Sequence, residues 1–436
     1  MQDKFLARIA AFETVSRHGR VRKISPTMIE ADGPNVPIGG LCSIETVQGR
    51  PITCEVVSVE QQMIRLVPYE PVTAIAVGNR LTALAKDADV PVGDALLGCA
   101  VNALGRDLVS GAQIGSVERS PAGFVRTSPL SRETRVEQLV TGIKAIDGML
   151  PLSIGQRVGI FAASGVGKTS LVQQLLHQVQ ADRCVLCLVG ERGREVEAVW
   201  TQDMAQSTKS RTVLVAATSD ETAVMRVRAV HHALALARHW RDQGHHVAFF
   251  LDSISRYAMA QREIGLAAGE PPTARGYTPN VFAALPMLVE QCGALHAGGS
   301  ISGFFTVLGE DDDNDDPICE VMKSLLDGHI VLSRKFAEQG HFPAIDVERS
   351  VSRLLSVVTH PEQRRMIERA RACLATYSEA KMLIDSGLYA KGSASHIDHA
   401  MAMRDPLAEF LQQSQTEAVG VAQTRQALAN CFREAV

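Results

Sequence analysis

Residues 157–172 read Arg157-Val158-Gly159-Ile160-Phe161-Ala162-Ala163-Ser164-Gly165-Val166-Gly167-Lys168-Thr169-Ser170-Leu171-Val172. An apolar run enters a glycine turn, and a helix-like run leaves it with Val172, Leu175, Leu176 and Val179 on one face. Strand, glycine turn, helix is the setting in which backbone N–H groups converge on a phosphate and the helix dipole favours negative charge. Ser164, Gly165, Val166, Gly167, Lys168, Thr169 and Ser170 are therefore the expected nucleotide-binding residues. Lys168 adds a point charge for the β- and γ-phosphates, and Thr169 offers its hydroxyl to Mg²⁺. Ala162 stands where the strict pattern has its first glycine. Ala163 raises a second question, because alanine disfavours positive φ.

Outward from the loop, runs at 184–190, 212–217, 247–251, 301–308 and 329–333 read as strands with helical segments between them. That alternation predicts a parallel sheet with crossover helices. Asp220 is placed to cap a long helix running to about 242 and ending at Gly244. In an open parallel sheet, ligands sit beyond the carboxyl ends of the strands. Gly190-Glu191-Arg192-Gly193-Arg194-Glu195 follows one such strand, and Asp252 ends another, Val247-Ala248-Phe249-Phe250-Leu251. Asp252 reads as a Mg²⁺ ligand, its plain alternative being a helix cap. Glu191 reads as the base that polarises water, with Arg192 beside it for the γ-phosphate. The alternative is that Glu191 pairs with Arg192 or Arg194.

The surrounding stretches resemble the type III secretion ATPases, including the flagellar export ATPases. The likeness lies in Gly190-Glu191-Arg192-Gly193-Arg194-Glu195-Val196 and in the run from Asp252 to Ile264. It continues through Gly269-Glu270-Pro271-Pro272, Arg275-Gly276-Tyr277-Thr278-Pro279, Leu326 to Arg334, and Phe342-Pro343-Ala344-Ile345-Asp346. It covers essentially the whole chain. The family is related to the catalytic subunit of rotary ATP synthases, whose corresponding stretches differ at Gly193–Val196 and over 261–272. The resemblance implies ATP and Mg²⁺ as cofactors and a homohexameric ring with nucleotide between subunits. It also implies a motor that releases chaperones from unfolded substrates and feeds them to an export gate at the inner membrane.

Two site residues rest on the resemblance alone. Arg353, in Ser350-Val351-Ser352-Arg353, matches the family's arginine finger, although its spacing alone reads as a surface arginine. Phe342 matches the ring that packs on adenine, against plain core packing. The resemblance also turns 269–280 and Glu310-Asp311-Asp312-Asp313-Asn314-Asp315-Asp316 toward the ring centre, where acidity could meet a basic central stalk protein or a passing substrate. Phe5, Ile9 and Phe12 share a helical face over 3–16, which is either a packed terminus or a dock for a stator-like regulator near the membrane. Gly303 and Gly309 depart from residues more usual in the family.

Three parts follow: a small antiparallel β-barrel over 1–90, a RecA-like nucleotide-binding domain over 91–355, and a helical domain over 356–436. The barrel rests on short alternating runs such as Cys54–Val59 and Met63–Val67, cut by turn signals. Net charge is −4, and residues 1–90 hold one Tyr and no Trp. Both argue against nucleic acid as a partner, and so against an RNA-tracking hexamer. A nucleotide-binding scaffold without turnover is disfavoured by intact Lys168, Glu191, Asp252 and Arg353. The nine cysteines are scattered, and no secretory leader pattern opens the chain, which predicts reduced thiols in a cytoplasmic protein. Cys184 and Cys187 lie in one strand-like run, where their spacing puts them on opposite faces and argues against a metal or redox pair. His231, His232, His245 and His246 read as structural or surface residues.

Overall fold

The computed structural model describes residues 17–434, apart from 62, 71, 73, 85–88, 116 and 310–315. The expected helix at 3–16 and most of the acidic run, 310–315, lie outside the described residues.

Short strands alternating buried and exposed residues close into a barrel: β1 (His18–Ile24), β2 (Ile29–Asp32), β3 (Leu41–Ile44), β4 (Ile52–Glu60), β5 (Met63–Pro68) and β6 (Arg80–Ala83), in the order β1-β2-β5-β4-β3-β6. Closure leaves no free strand edge. Val21, Ile29, Cys42, Ile44, Cys54, Ile64, Leu66 and Leu81 fill the inside as a separate apolar core.

The centre is a predominantly parallel sheet. Its main strands are β7 (Arg157–Ala162), β8 (Arg183–Val189), β9 (Thr212–Ala217), β10 (His246–Asp252), β11 (Ser300–Leu308), β12 (Gly328–Leu332) and β13 (Ile345–Ser352). Spatial order is β13-β12-β7-β11-β10-β8-β9, with Ala100–Val101 beyond β9 and only β13 antiparallel within this set. The sheet is buried on both faces, so its strands read as continuous apolar runs, while the strand period still sorts side chains between two layers. In β8, Val185, Cys187 and Val189 enter one layer; Cys184, Leu186 and Leu188 enter the other. The two cysteines therefore point to opposite faces.

The first layer is covered by α2 (Ala223–Asp242), α3 (Ile254–Ala268) and α4 (Pro279–Val289). The second is covered by α1 (Lys168–Gln178) and by the C-terminal helices α5 (Pro361–Asp385), α6 (Ser395–Leu411) and α7 (Val421–Glu434), through residues such as Ile367, Met403, Phe410 and Leu428. Asp220 does not cap α2. The cap position is Thr222, and the Asp220 side chain turns back to Thr218 in a tight turn that precedes the helix. A local side-chain bond competes with capping at such sites.

Gly303 has a packing reason: a Cβ there would lie 2.7 Å from the Phe305 ring and 3.0 Å from Cys292 Sγ. The barrel meets the centre through Arg65, which donates to Ala268 O at 2.6 Å, and through Tyr69, whose hydroxyl donates to Glu55 at 2.8 Å beside Arg228. His232 is fully buried on this side of the molecule and His231 partly so. His232 Nε2 is 2.9 Å from Pro91 O, and the His231 ring meets Phe124 edge-on.

Candidate functional site: a phosphate cleft at the strand ends

β7 ends at Ala162, and α1 begins six residues later. Gly165 and Gly167 adopt φ of 81° and 99°, a region that glycine enters without cost. Ala163 does not adopt positive φ, so its methyl group imposes no backbone strain. The loop leads into an eleven-residue helix whose N-cap, Gly167, supplies no side-chain bond. The first-turn N–H groups of α1 are thus left for an anion. The loop opens on a cleft of about 830 Å³, lined by Ser164, Gly165, Gly167, Lys168, Thr169, Ser170, Glu191, Arg192, Arg256 and Arg334, among others. Val166 is instead buried in the second layer, where it anchors the loop from behind.

Register sets the other chemical groups. Leu188 of β8 pairs with Asp252 at the end of β10, which brings the turn after β8 beside the end of β10. Asp252 Oδ1 is bonded by Lys168 Nζ and accepts from Thr306 Oγ1 at 2.7 Å. Lys168 Nζ also lies 3.7 Å from Glu191 Oε1. Lys168, Glu191 and Asp252 retain only 12%, 14% and 5% side-chain exposure, so these charges act at short range with little screening. Burial pushes the Glu191 carboxyl above its ordinary value; Lys168 opposes the shift and Asp252 adds to it. Glu191 Oε1 is buried without a hydrogen-bond partner. An ionisable acceptor left open in a cleft is the arrangement a general base requires.

Glu191 is matched by Lys168 rather than by its sequence neighbours. Arg192 is exposed and approaches Glu195 at 4.0 Å. Phe342 is 46% exposed, so it is not a core residue, and its ring comes within 3.7 Å of a Cβ placed on Gly167. A flat apolar face is thereby offered beside the loop.

Arg353 is not in this cleft. β13 runs against its neighbour, and Ser352 pairs with Gly328, which is itself level with Val158 near the start of β7. Arg353 therefore sits at the opposite end of the sheet, roughly 17 Å from the loop by strand rise. Its guanidinium is exposed and donates to Lys323 O at 3.1 Å. Within one chain it does not reach its own phosphate loop.

Sequence reading left Arg256 and Arg334 without a role. Arg256 lies in the first turn of α3, after the Ser253 cap, and its Nε is buried without a hydrogen-bond partner. Its place in the first turn of the helix that follows the strand ending at Asp252 was the available signal, because ligands sit beyond the carboxyl ends of such strands. Asp316, the described end of the acidic run, caps the next helix through Ile318 N–H at 2.7 Å and also lines the cleft.

Comparison with known proteins agrees with this geometry. Residues 142–352 match the ATP synthase alpha/beta family, nucleotide-binding domain, and residues 359–430 match the T3SS EscN ATPase C-terminal domain. The chain is 41% identical to the flagellum-specific ATP synthase of Treponema pallidum, over 95% of this chain and 93% of that protein. It is 42% identical to the SPI-2 type 3 secretion system ATPase of Salmonella typhimurium, over 93% of this chain and 92% of that one. The structure of the assembled ATPase EscN from the enteropathogenic E. coli type III secretion system superposes with a TM-score of 0.90 at 37% identity, covering 96% of this chain and all of that chain. EscN in complex with its central stalk EscO superposes at 0.87 with 36% identity, again covering 96% of this chain and all of that one. At these identities, over nearly the whole of each chain and with the same fold, the chain belongs to the flagellar and type III secretion ATPases.

Proposed function

We propose that this protein is the ATP-hydrolysing motor subunit of a bacterial type III protein export apparatus, flagellar or virulence-associated. It works as a homohexamer with nucleotide between subunits. Its turnover releases chaperones and energises the secretion of unfolded substrates through a gate at the inner membrane. The observation that carries this reading is the split site: Lys168, Glu191 and Asp252 meet in one cleft, while Arg353 lies at the far end of the sheet. That separation supports a site completed by a neighbour.

Each residue then has a task. Backbone N–H groups of 164–170 and Lys168 hold the phosphates. Phe342 stacks on the base. Glu191 takes a proton from the attacking water, and Arg192 with Arg256 orients the γ-phosphate. Arg353 of the adjacent subunit neutralises the charge that develops there. Thr169 and Asp252 are the groups that would hold Mg²⁺; a carboxylate and a hydroxyl are donors that fit a hard, oxygen-preferring cation. A bound Mg²⁺ supplies charge neutralisation across the phosphate oxygens.

The relatives support the setting. EscN was solved with a central stalk, so a central stalk partner is proposed here too. Export function is favoured over that of a rotary synthase subunit by the match of 359–430 to the EscN C-terminal domain. No described helix is long and apolar enough to cross a membrane. We place the protein in the cytoplasm, held peripherally at the inner membrane, with a stator-like regulator at its N-terminal segment and no nucleic-acid partner.

The test is Mg²⁺-dependent ATP hydrolysis per subunit over a wide range of protein concentration, with and without RNA. Specific activity that climbs with concentration and ignores RNA is the expected result. Activity that stays flat down to concentrations where the protein is monomeric overturns the shared site. Activity that requires RNA overturns the export reading.

A further inference from the structure

At the root of the phosphate-loop strand, Gln156 is buried and its amide is fully used. Its Oε1 accepts from the Ser153 N–H at 2.8 Å. Its Nε2 donates to Asp327 O at 3.0 Å and to Ser352 Oγ at 3.2 Å. The Ser352 hydroxyl donates in turn to Pro151 O at 2.8 Å. The Arg353 N–H donates to the same Asp327 carbonyl at 2.9 Å. One amide thus bonds the residue before Arg353 and the carbonyl that holds the Arg353 backbone.

Asp327 is itself immobilised. Its carboxylate accepts from Arg157 Nε at 2.8 Å, Nη2 at 2.9 Å and the backbone N–H at 3.1 Å. The next residue is Gly328, where a Cβ would lie 2.5 Å from Val351 O and 3.1 Å from Gln156 Nε2. The two chain segments approach so closely that only glycine fits. By contrast the Arg353 guanidinium is exposed. A long exposed side chain aims at a distant atom only as well as its backbone root is held, and small misplacements of a charge-stabilising group cost large factors in rate.

We propose that Gln156 is a positioning residue for Arg353: its amide fixes the backbone root from which the guanidinium reaches the phosphate of the adjacent subunit. This rests on Arg353 acting across the subunit interface. Gln156 lies at the amino end of β7 and does not line its own cleft, so its effect is felt next door.

Gln156→Leu removes the two donated bonds, and with them the bond accepted from Ser153 N–H, while nearly keeping the volume. We expect kcat to fall about tenfold with KM for ATP unchanged, the pattern of a lost transition-state contact. Mixing separates positioning from folding. Gln156→Leu subunits, mixed before assembly with an excess-free equal amount of Glu191→Gln subunits, place sound clefts beside sound fingers at about a quarter of random interfaces. Activity should rise to about a quarter of the unmodified ring, well above the mean of the two parts. Arg353→Ala mixed with Glu191→Gln is the control for the trans finger. If the control rises and the Gln156→Leu mixture stays at the mean, the positioning role is overturned. It is overturned equally if Gln156→Leu keeps full kcat. If the control itself does not rise, the trans finger falls and the role of Gln156 falls with it. Should Gln156→Leu not fold, Ser352→Ala carries the same test, with about a threefold loss and the same rescue expected.

Discussion

Two ion clusters sit at the two ends of β7, and they differ in how completely they are satisfied. At the carboxyl end, one lysine serves two carboxylates, and Glu191 Oε1 has no hydrogen-bond partner. At the amino end, Arg157 grips both oxygens of Asp327 and also reaches Glu290 at 2.5 Å. The first cluster holds its charges in tension and leaves an acceptor open. The second spends every group on the fold. A satisfied cluster stabilises; an unsatisfied one in a cleft is available for chemistry. The difference teaches which changes should strike rate and which should strike stability.

The sharpest way to break the contrast is Glu191→Gln. Hydrolysis should fall about 10³-fold, within the range for loss of a general base. Burial raises the Glu191 carboxyl, so its ionised form opposes folding at neutral pH, and the melting temperature should stay level or rise. A melting temperature that drops by several degrees would show this cluster to be structural. The opposite end predicts the reverse. Asp327→Asn leaves part-buried Arg157 with the half-exposed Glu290 as its remaining carboxylate partner, so stability should fall by about 2 kcal/mol in denaturant titration. Nucleotide binding by the isolated cleft should persist, read by fluorescence of a labelled nucleotide.

A finer test uses pH. Glu191 works ionised, so kcat should fall as pH drops through its raised value, on an acid limb above the ordinary glutamate range. Arg256 is one of the charges holding that value down. Arg256→Gln should lower kcat and move the limb to higher pH. A limb that stays in place removes Arg256 from the electrostatics of Glu191. The smallest expected effect lies far from both clusters. Burial holds His231 at about 4, below its ordinary 6.5, with Arg228 and Arg238 adding to it. The neutral ring therefore contributes stability that is complete above pH 6.5 and is lost as pH falls toward 4. His231→Leu should flatten the acid limb of the stability–pH curve, measured by melting between pH 7 and 4, and leave hydrolysis at neutral pH unaltered.

Much of the cleft was written locally. Residues 162–170 carry glycines where φ must be positive, a lysine and a hydroxyl, all within one strand–turn–helix unit. Glu191 and Asp252 could be found because strand ends of a parallel sheet share an edge. The helix start after Asp220 was misread because a turn bond to Thr218 took the side chain that capping would have used.

By itself, then, the sequence determined the alternation of strands and helices, the parallel class of the sheet and the identity of the loop, because apolar periodicity and glycine conformational freedom are properties of neighbouring residues. Family likeness named Arg353, yet nothing in its spacing says that it faces away from its own cleft. Only the tertiary structure decided that, through the antiparallel register of β13 on β12. It also decided the grip of Arg157 on Asp327, 170 residues away along the chain. Pairings over such separations depend on which strands lie side by side, and that choice is made by burial of the whole sheet rather than by any local pattern.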